Sequence, residues 1–250
     1  MGTYLITGAT GGIGAAVAGQ LRDRGHDLIL TGRSPQRLNE LARTLRTGAH
    51  ARTQLMRQGG GPDPDADGPG LRAVVLDLAE PRRLEARLAE EGLPERLDGV
   101  IHTAGFVHLG TVDDLEADDW ITHMSVNLVS AAELTRLLLP ALRAASGDVV
   151  FVNSTAGLRA NPRWSAYAAS KAGLRALADA LRAEEPALRV TTLFPGRTAT
   201  EMQQRVRAQE DKPYDPSDFV SPLTIAKVLV AALEAPTDAT VAEVTIRPRQ

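Results

Sequence analysis

Seven short apolar runs, at residues 4–7, 27–31, 73–76, 99–102, 148–153, 189–194 and 243–246, alternate with longer Ala-, Leu- and Arg-rich stretches of helical period. This alternation constrains the fold more than any other feature. A short run of β-branched residues and leucine reads as a strand buried on both faces, and the helical stretch between two such strands is the crossover that lets them lie parallel. The expected class is α/β, a doubly wound three-layer sandwich around a seven-stranded parallel sheet. Ligands of such sheets bind outside the carboxyl ends of the strands, so site residues are sought just after each run.

One stretch breaks the rhythm. Residues 58–70 read QGGGPDPDADGPG, without apolar period and rich in residues that turn or extend a chain. Residues 34–56 before it are too few for a separate unit, so a single dinucleotide-binding catalytic domain over 1–250 is expected, with a Gly/Pro-rich surface insertion at 58–70.

Composition excludes several classes. With 43% hydrophobic and 24% charged residues the chain is not of disordered type, and a net charge of -3 offers no general attraction to nucleic acid or anionic lipid. The arginines of residues 82–87 are interrupted by Leu84 and Glu85 and read as a solvated helix face. Cysteine is absent, which removes thiolate nucleophiles and zinc-thiolate sites, and His26, His50, His102, His108 and His123 lack ligand spacing, so no metal is expected. No apolar run approaches the ~20 residues that span a bilayer, and no basic leader precedes the first strand. The expectation is a cytoplasmic protein without membrane or nucleic-acid partners.

The first strand runs into Thr7-Gly8-Ala9-Thr10-Gly11-Gly12-Ile13-Gly14, followed by a helix pattern at 15–24. Strand, glycine turn and helix in this order form a Rossmann-like dinucleotide site: glycines let the backbone approach a pyrophosphate, and the helix turns free N–H groups toward it. Thr7, Gly8, Thr10, Gly12, Ile13 and Gly14 are the candidate contacts. The second strand ends in Thr31-Gly32-Arg33-Ser34, where an acidic residue would favour NAD. Arg33 and Ser34 suit a ribose 2'-phosphate instead, so NADP(H) is the expected cofactor and NAD the less favoured one. Asp77 and Leu78, after the third strand, are placed to flank the adenine, with a helix-capping role for Asp77 as the rival.

Tyr167-Ala168-Ala169-Ser170-Lys171 lies in a helix pattern beyond the fifth strand and puts phenol and ammonium one turn apart on one face. A nearby cation favours phenolate, which is expected to move Tyr167 from its ordinary pKa of about 10 toward neutral pH. Such a pair alone is common by chance.

The other motifs stand around it in order, and together they resemble the short-chain dehydrogenase/reductase family over essentially the whole chain, in the manner of an NADP-preferring ketoreductase. The family's glycine motif matches Thr7, Gly8, Gly12 and Gly14, and its catalytic Ser matches Ser154 in Asn153-Ser154-Thr155-Ala156-Gly157. Its Tyr and Lys match Tyr167 and Lys171, and its helix Asn matches Asn127 in Ser125-Val126-Asn127-Leu128. Pro195-Gly196 matches the turn after the sixth strand, with Thr200 at the position the family uses near the nicotinamide carboxamide and Thr198 as a further cofactor contact.

The resemblance implies hydride transfer between nicotinamide and a carbonyl or secondary alcohol. It assigns Tyr167 as proton donor and acceptor, Ser154 as hydrogen-bond donor to the substrate oxygen, Lys171 as ribose ligand and modulator of Tyr167, and Asn127 as holder of a water linking Lys171 to solvent. Two departures stand out. His102-Thr103-Ala104-Gly105 replaces Asn-Asn-Ala-Gly, with His102 read as structural and Ala104 and Gly105 keeping the cofactor turn; the second departure is the 58–70 insertion. A catalytically silent dinucleotide sensor or scaffold is the competing reading, which four intact catalytic positions disfavour.

Phe106, Val107, Trp164 and residues 197–221 are expected to line a partly apolar substrate pocket. The apolar side of residues 119–142, including Trp120, Ile121, Leu128 and Val129, is broader than a one-sided helix needs. A homodimer or homotetramer is expected to cover it, pairing this segment with the Tyr167 helix across a two-fold axis as in the family.

Overall fold

A computed structural model describes residues 1–47 and 70–249. Seven parallel strands form one sheet: β1 (Thr3–Thr7), β2 (Asp27–Gly32), β3 (Leu71–Val75), β4 (Gly99–His102), β5 (Asp148–Val152), β6 (Arg189–Pro195) and β7 (Glu243–Ile246). Their order across the sheet is β3-β2-β1-β4-β5-β6-β7. The sequence expectation holds in number, type and position. The largest shift is in β3, which starts at Leu71, because pairing of Leu71 with Leu28 in β2 extends the ladder beyond the apolar run. The insertion expected at 58–70 lies, but for Gly70, outside the described residues.

Strand period places the core on both faces. In β1, Leu5 packs into one cluster with Leu84, Leu134, Leu138 and Leu174, while Tyr4 and Ile6 pack into the other with Val17, Leu21, Ile225 and Leu229. The second face is covered by α1 (Gly12–Asp23), α2 (Pro35–Thr47) and α8 (Pro222–Leu233). The first is covered by α3 (Leu84–Glu91), α5 (Ser130–Ala145) and α6 (Ser165–Glu184). Burial on both sides is what made each strand legible as an uninterrupted apolar run.

The chain reverses direction across the sheet between β1 and β4, and the carboxyl ends of these two neighbours open the crevice where α/β sheets bind ligands. Two helical pieces border it. The run through α4 (Ala117–Met124) into α5 is continuous but widens into a π-turn at Ser125–Val129. The helix α7 (Glu201–Gln209) follows β6 and is capped by the Thr200 hydroxyl, which accepts from Gln203 N–H at 3.2 Å.

Candidate active site

A cleft of 770 Å³ runs along the carboxyl ends of the strands and is lined by the glycine turn, by Trp164 and by α7, whose first residues meet the glycine turn and whose last reach the loop after β4. Its floor at the glycine turn is backbone. Gly8 has φ +60°, a left-handed conformation that side chains resist, and a Cβ there would meet Ala104 Cα at 2.7 Å. Gly12 and Gly14 lie inside the first turn of α1 rather than before it, so the helix starts earlier than the sequence pattern indicates. A Cβ on Gly12 would meet Thr200 Cγ2 at 2.7 Å, and one on Gly14 would meet Thr103 Oγ1 at the same distance. These glycines keep the amino end of α1 open to an anion, and the cradle fits a pyrophosphate.

Arg33 stands exposed in the same cleft at the end of β2, without an ion pair or side-chain hydrogen bond among the described residues. Asp77 and Leu78 line it after β3, and the Asp77 carboxylate accepts from Ala79 N–H at 3.0 Å in a local turn; the helical turn that follows is capped at Glu80, so Asp77 is not a helix cap. Thr10, Ile13, Ala104, Gly105, Pro195, Gly196, Thr198 and Thr200 complete the wall.

At the middle of the cleft α6 presents Tyr167 and Lys171, which are 7% and 3% exposed. Lys171 Nζ donates to Val152 O at 3.0 Å and lies 5.9 Å from the centre of the Tyr167 ring. Burial pushes the ammonium down to about 8. For Tyr167, burial raises the pKa above its ordinary value and the nearby Ser154 side chain lowers it by less. The expectation that Lys171 shifts Tyr167 toward ionisation is therefore corrected for this arrangement. Burial of the phenol is the larger cause of the shift, and Lys171 donates to the Val152 carbonyl.

A family profile for short chain dehydrogenase matches residues 65–211. An uncharacterized short-chain type dehydrogenase/reductase of Sinorhizobium fredii is 30% identical over 98% of this chain and 90% of its own length. The chain belongs to the short-chain dehydrogenase/reductase family. It is an oxidoreductase of that family. Its structure is similar to an alcohol dehydrogenase from Thermococcus sibiricus, complexed with 5-hydroxy-NADP, at 26% identity and TM-score 0.81 over 99% of this chain and 97% of that one. It is also similar to a short-chain dehydrogenase from Sphingobium yanoikuyae in complex with NADPH, at 25% identity and TM-score 0.79 over 98% and 87%.

Three of the residues singled out in the sequence stand outside the cleft lining of this dehydrogenase/reductase. Thr7 lies behind it, its hydroxyl accepting from Ala104 N–H at 3.3 Å and its carbonyl from the Thr103 hydroxyl. Ser34 caps α2, its hydroxyl accepting from Arg37 N–H at 3.3 Å. Asn127 sits buried in the π-turn, its Nδ2 donating to Phe106 O and Ser170 Oγ at 2.9 Å each, while Oδ1 accepts from Phe106 N–H at 2.7 Å. It therefore pins the loop after β4 to the start of α6, and with Thr7 and His102 it borders a cavity of about 10 Å³ behind the cleft.

The sequence reading overlooked three residues. Asn153 bridges Ser154 and Lys171 through its carboxamide. His123 is fully buried: Nδ1 donates to Asp119 O at 2.7 Å, which leaves Nε2 to accept from His108 N–H at 3.1 Å and fix the loop beside Phe106. Arg37 reaches over the glycine turn to Thr10 O and Glu201. Asn153 stands next to Ser154 and was within reach of the motif; the other two act across elements distant in sequence and leave no local signal. Arg205 on α7, within the 197–221 segment expected to line the pocket, lines the cleft.

His102 is structural, as read. Thr135 Oγ1 spends its hydrogen on Ala131 O at 2.7 Å, so His102 Nε2 donates to it at 3.0 Å while the ring stacks on Phe151. Among the described residues no group of three or more His, Cys, Asp or Glu is arranged for a metal, and no helix is long and apolar enough to cross a membrane.

Proposed function

We propose that this protein is an NADP(H)-dependent oxidoreductase interconverting a carbonyl and a secondary alcohol, with Tyr167 as general acid and base and reduction as its working direction. Ser154, Tyr167 and Lys171, lining one cleft with the glycine cradle, carry this reading. When bound, the nicotinamide supplies or accepts the hydride. Ser154 and Tyr167 then hold the substrate oxygen from two sides, and the Tyr167 hydroxyl gives it a proton as negative charge develops. Lys171, on the same face of α6, binds the nicotinamide ribose, and Asn127 positions both by fixing Phe106 and Ser170.

The preference for NADP(H) rests on the unpaired Arg33 and the absence of a carboxylate at the end of β2. The similar Thermococcus and Sphingobium proteins, complexed with 5-hydroxy-NADP and NADPH, support it. Cytoplasmic residence and a homodimer or homotetramer belong to the same proposal; Ile121 and Val129, 59% and 45% exposed on the α4–α5 run, are the apolar surface a second copy would cover.

The test is NADPH oxidation over a panel of ketones, aldehydes and oxo acids with wild type and Tyr167→Phe. Turnover that the variant loses while it still binds NADPH supports the enzyme. Tight NADPH binding with no turnover by the wild type would leave a sensor or scaffold instead.

A further inference from the structure

The cleft is lined by five cationic side chains, Arg33, Arg37, Lys171, Arg197 and Arg205. Three have partners within the protein. Lys171 donates to Val152 O, and Arg37 pairs with Glu201 at 3.1 Å. Arg197 makes two hydrogen bonds to Glu210, at 2.8 and 2.6 Å, and lies 5.8 Å over the Trp164 ring. Arg33 has the 2'-phosphate proposed for it. Arg205 is left, exposed in the cleft wall, with neither a side-chain hydrogen bond nor an ion pair among the described residues.

Its place is the substrate end. On α7 it shares a face with Gln209 one turn on, whose Oε1 accepts from Leu109 N–H at 2.8 Å and whose Nε2 donates to Arg205 O at 3.3 Å. That face is thereby held against the 106–109 loop, in the cleft that Trp164 and Tyr167 also line. The acidic residues of the lining are Asp77 and Glu201; the first follows β3 at the adenosine end and the second is engaged by Arg37. Glu210, behind the wall, is shared between Arg197 and Arg207. The substrate end thus carries an uncompensated positive charge, which concentrates and orients anions.

We propose that the substrate is an oxo acid or hydroxy acid whose carboxylate, remote from the reacting carbon, is bound by Arg205. This rests on the carbonyl–alcohol reading above. A single free guanidinium fork matches one carboxylate; a phosphoryl dianion would call for a second unpaired cation, and Arg197 is already neutralised by Glu210. Arg205 acts in recognition only, so its loss falls on KM and not on proton transfer.

The experiment compares wild type, Arg205→Ala and Arg205→Glu on straight-chain 2-, 3- and 4-oxo acids, their methyl esters and a phosphate monoester ketone. Turnover with NADPH is measured alongside calorimetric binding to the NADP+-loaded protein. In the wild type the best acid is expected to show a kcat/KM about tenfold above its ester, the worth of one charge-assisted contact. Arg205→Ala removes that preference through KM, Arg205→Glu inverts it, and both leave ester turnover unchanged. Equal binding of acid and ester by the wild type, or an equal loss on both in Arg205→Ala, overturns the inference, as does tighter Arg205-dependent binding of the phosphate monoester. Acid reduction as indifferent to Arg205 as ester reduction would sink this inference and keep the reductase; Arg205-dependent acid binding without turnover of any compound would do the reverse.

Discussion

Asn153 holds Lys171 by its backbone: the Asn153 Nδ2 donates to Lys171 O at 3.0 Å, while its Oδ1 accepts from Ser154 N–H at 2.8 Å. One buried carboxamide thus ties the end of β5 to the second turn of α6 and sets the spacing of Ser154 against Tyr167. Replacing it by alanine leaves two buried backbone groups without partners, a cost of about 1–3 kcal/mol each. Asn153→Ala is expected to unfold at lower urea and to lose on the order of 100-fold in kcat with little change in KM, as a misplacement of about 1 Å does. A variant with wild-type kcat would show that Ser154 and Tyr167 are placed without it.

The glycine cradle gives a sharper contrast. In Gly14→Ala the new methyl would sit 2.7 Å from Thr103 Oγ1 and closer still to Gly8 O, a backbone atom that cannot move aside cheaply. Gly19, on the same helix, has open space around its Cβ position. Gly19→Ala is expected to raise stability by up to about 1 kcal/mol, whereas Gly14→Ala lowers both stability and NADPH affinity. Fluorescence titration with NADPH and thermal melts on the two variants measure this, and equal behaviour would refute the close approach.

Arg33→Asp is expected to reverse the order of NADPH and NADH affinities, since it replaces an unpaired cation by a charge that repels a 2'-phosphate. An unchanged ratio of the two dissociation constants would remove Arg33 from the cofactor site.

His102 makes stability sensitive to acid. Burial, with the Lys171 charge as a smaller cause, pushes its pKa from 6.5 down to about 3. The unfolded chain therefore binds the proton more readily than the folded one between those values, and stability falls as pH drops through 6.5 toward 3. The loss attributable to this group is about 2 kcal/mol between pH 6.5 and 5. Urea unfolding at several pH values, wild type against His102→Asn, checks it: the variant is expected to lose less stability over this range, and parallel curves would contradict the assignment.

Much of the fold was readable because the physics is local. Strands buried on both faces must be apolar runs, the pyrophosphate turn must be glycine, and Tyr167 and Lys171 share a helix face by spacing alone. The seven strands, the glycine turn and the Ser154, Tyr167 and Lys171 set follow from such rules and from resemblance. What escaped belongs to contacts between distant segments. No helix period announces the π-turn at Ser125–Val129 that turns Asn127 toward Phe106 and Ser170. Nothing around His123 says that its Nε2 receives the His108 N–H, and nothing around Arg37 points to Glu201 in another helix. The direction of the Tyr167 shift likewise could not be read from spacing, because a cation one turn away lowers a phenol's pKa only if desolvation does not exceed it. The sequence by itself determined the strands, the glycine turn and the Ser154, Tyr167 and Lys171 set. Only the tertiary structure decided which polar groups are buried together, and so which charges are paired, which are desolvated, and which, like those of Arg33 and Arg205, are left for a ligand.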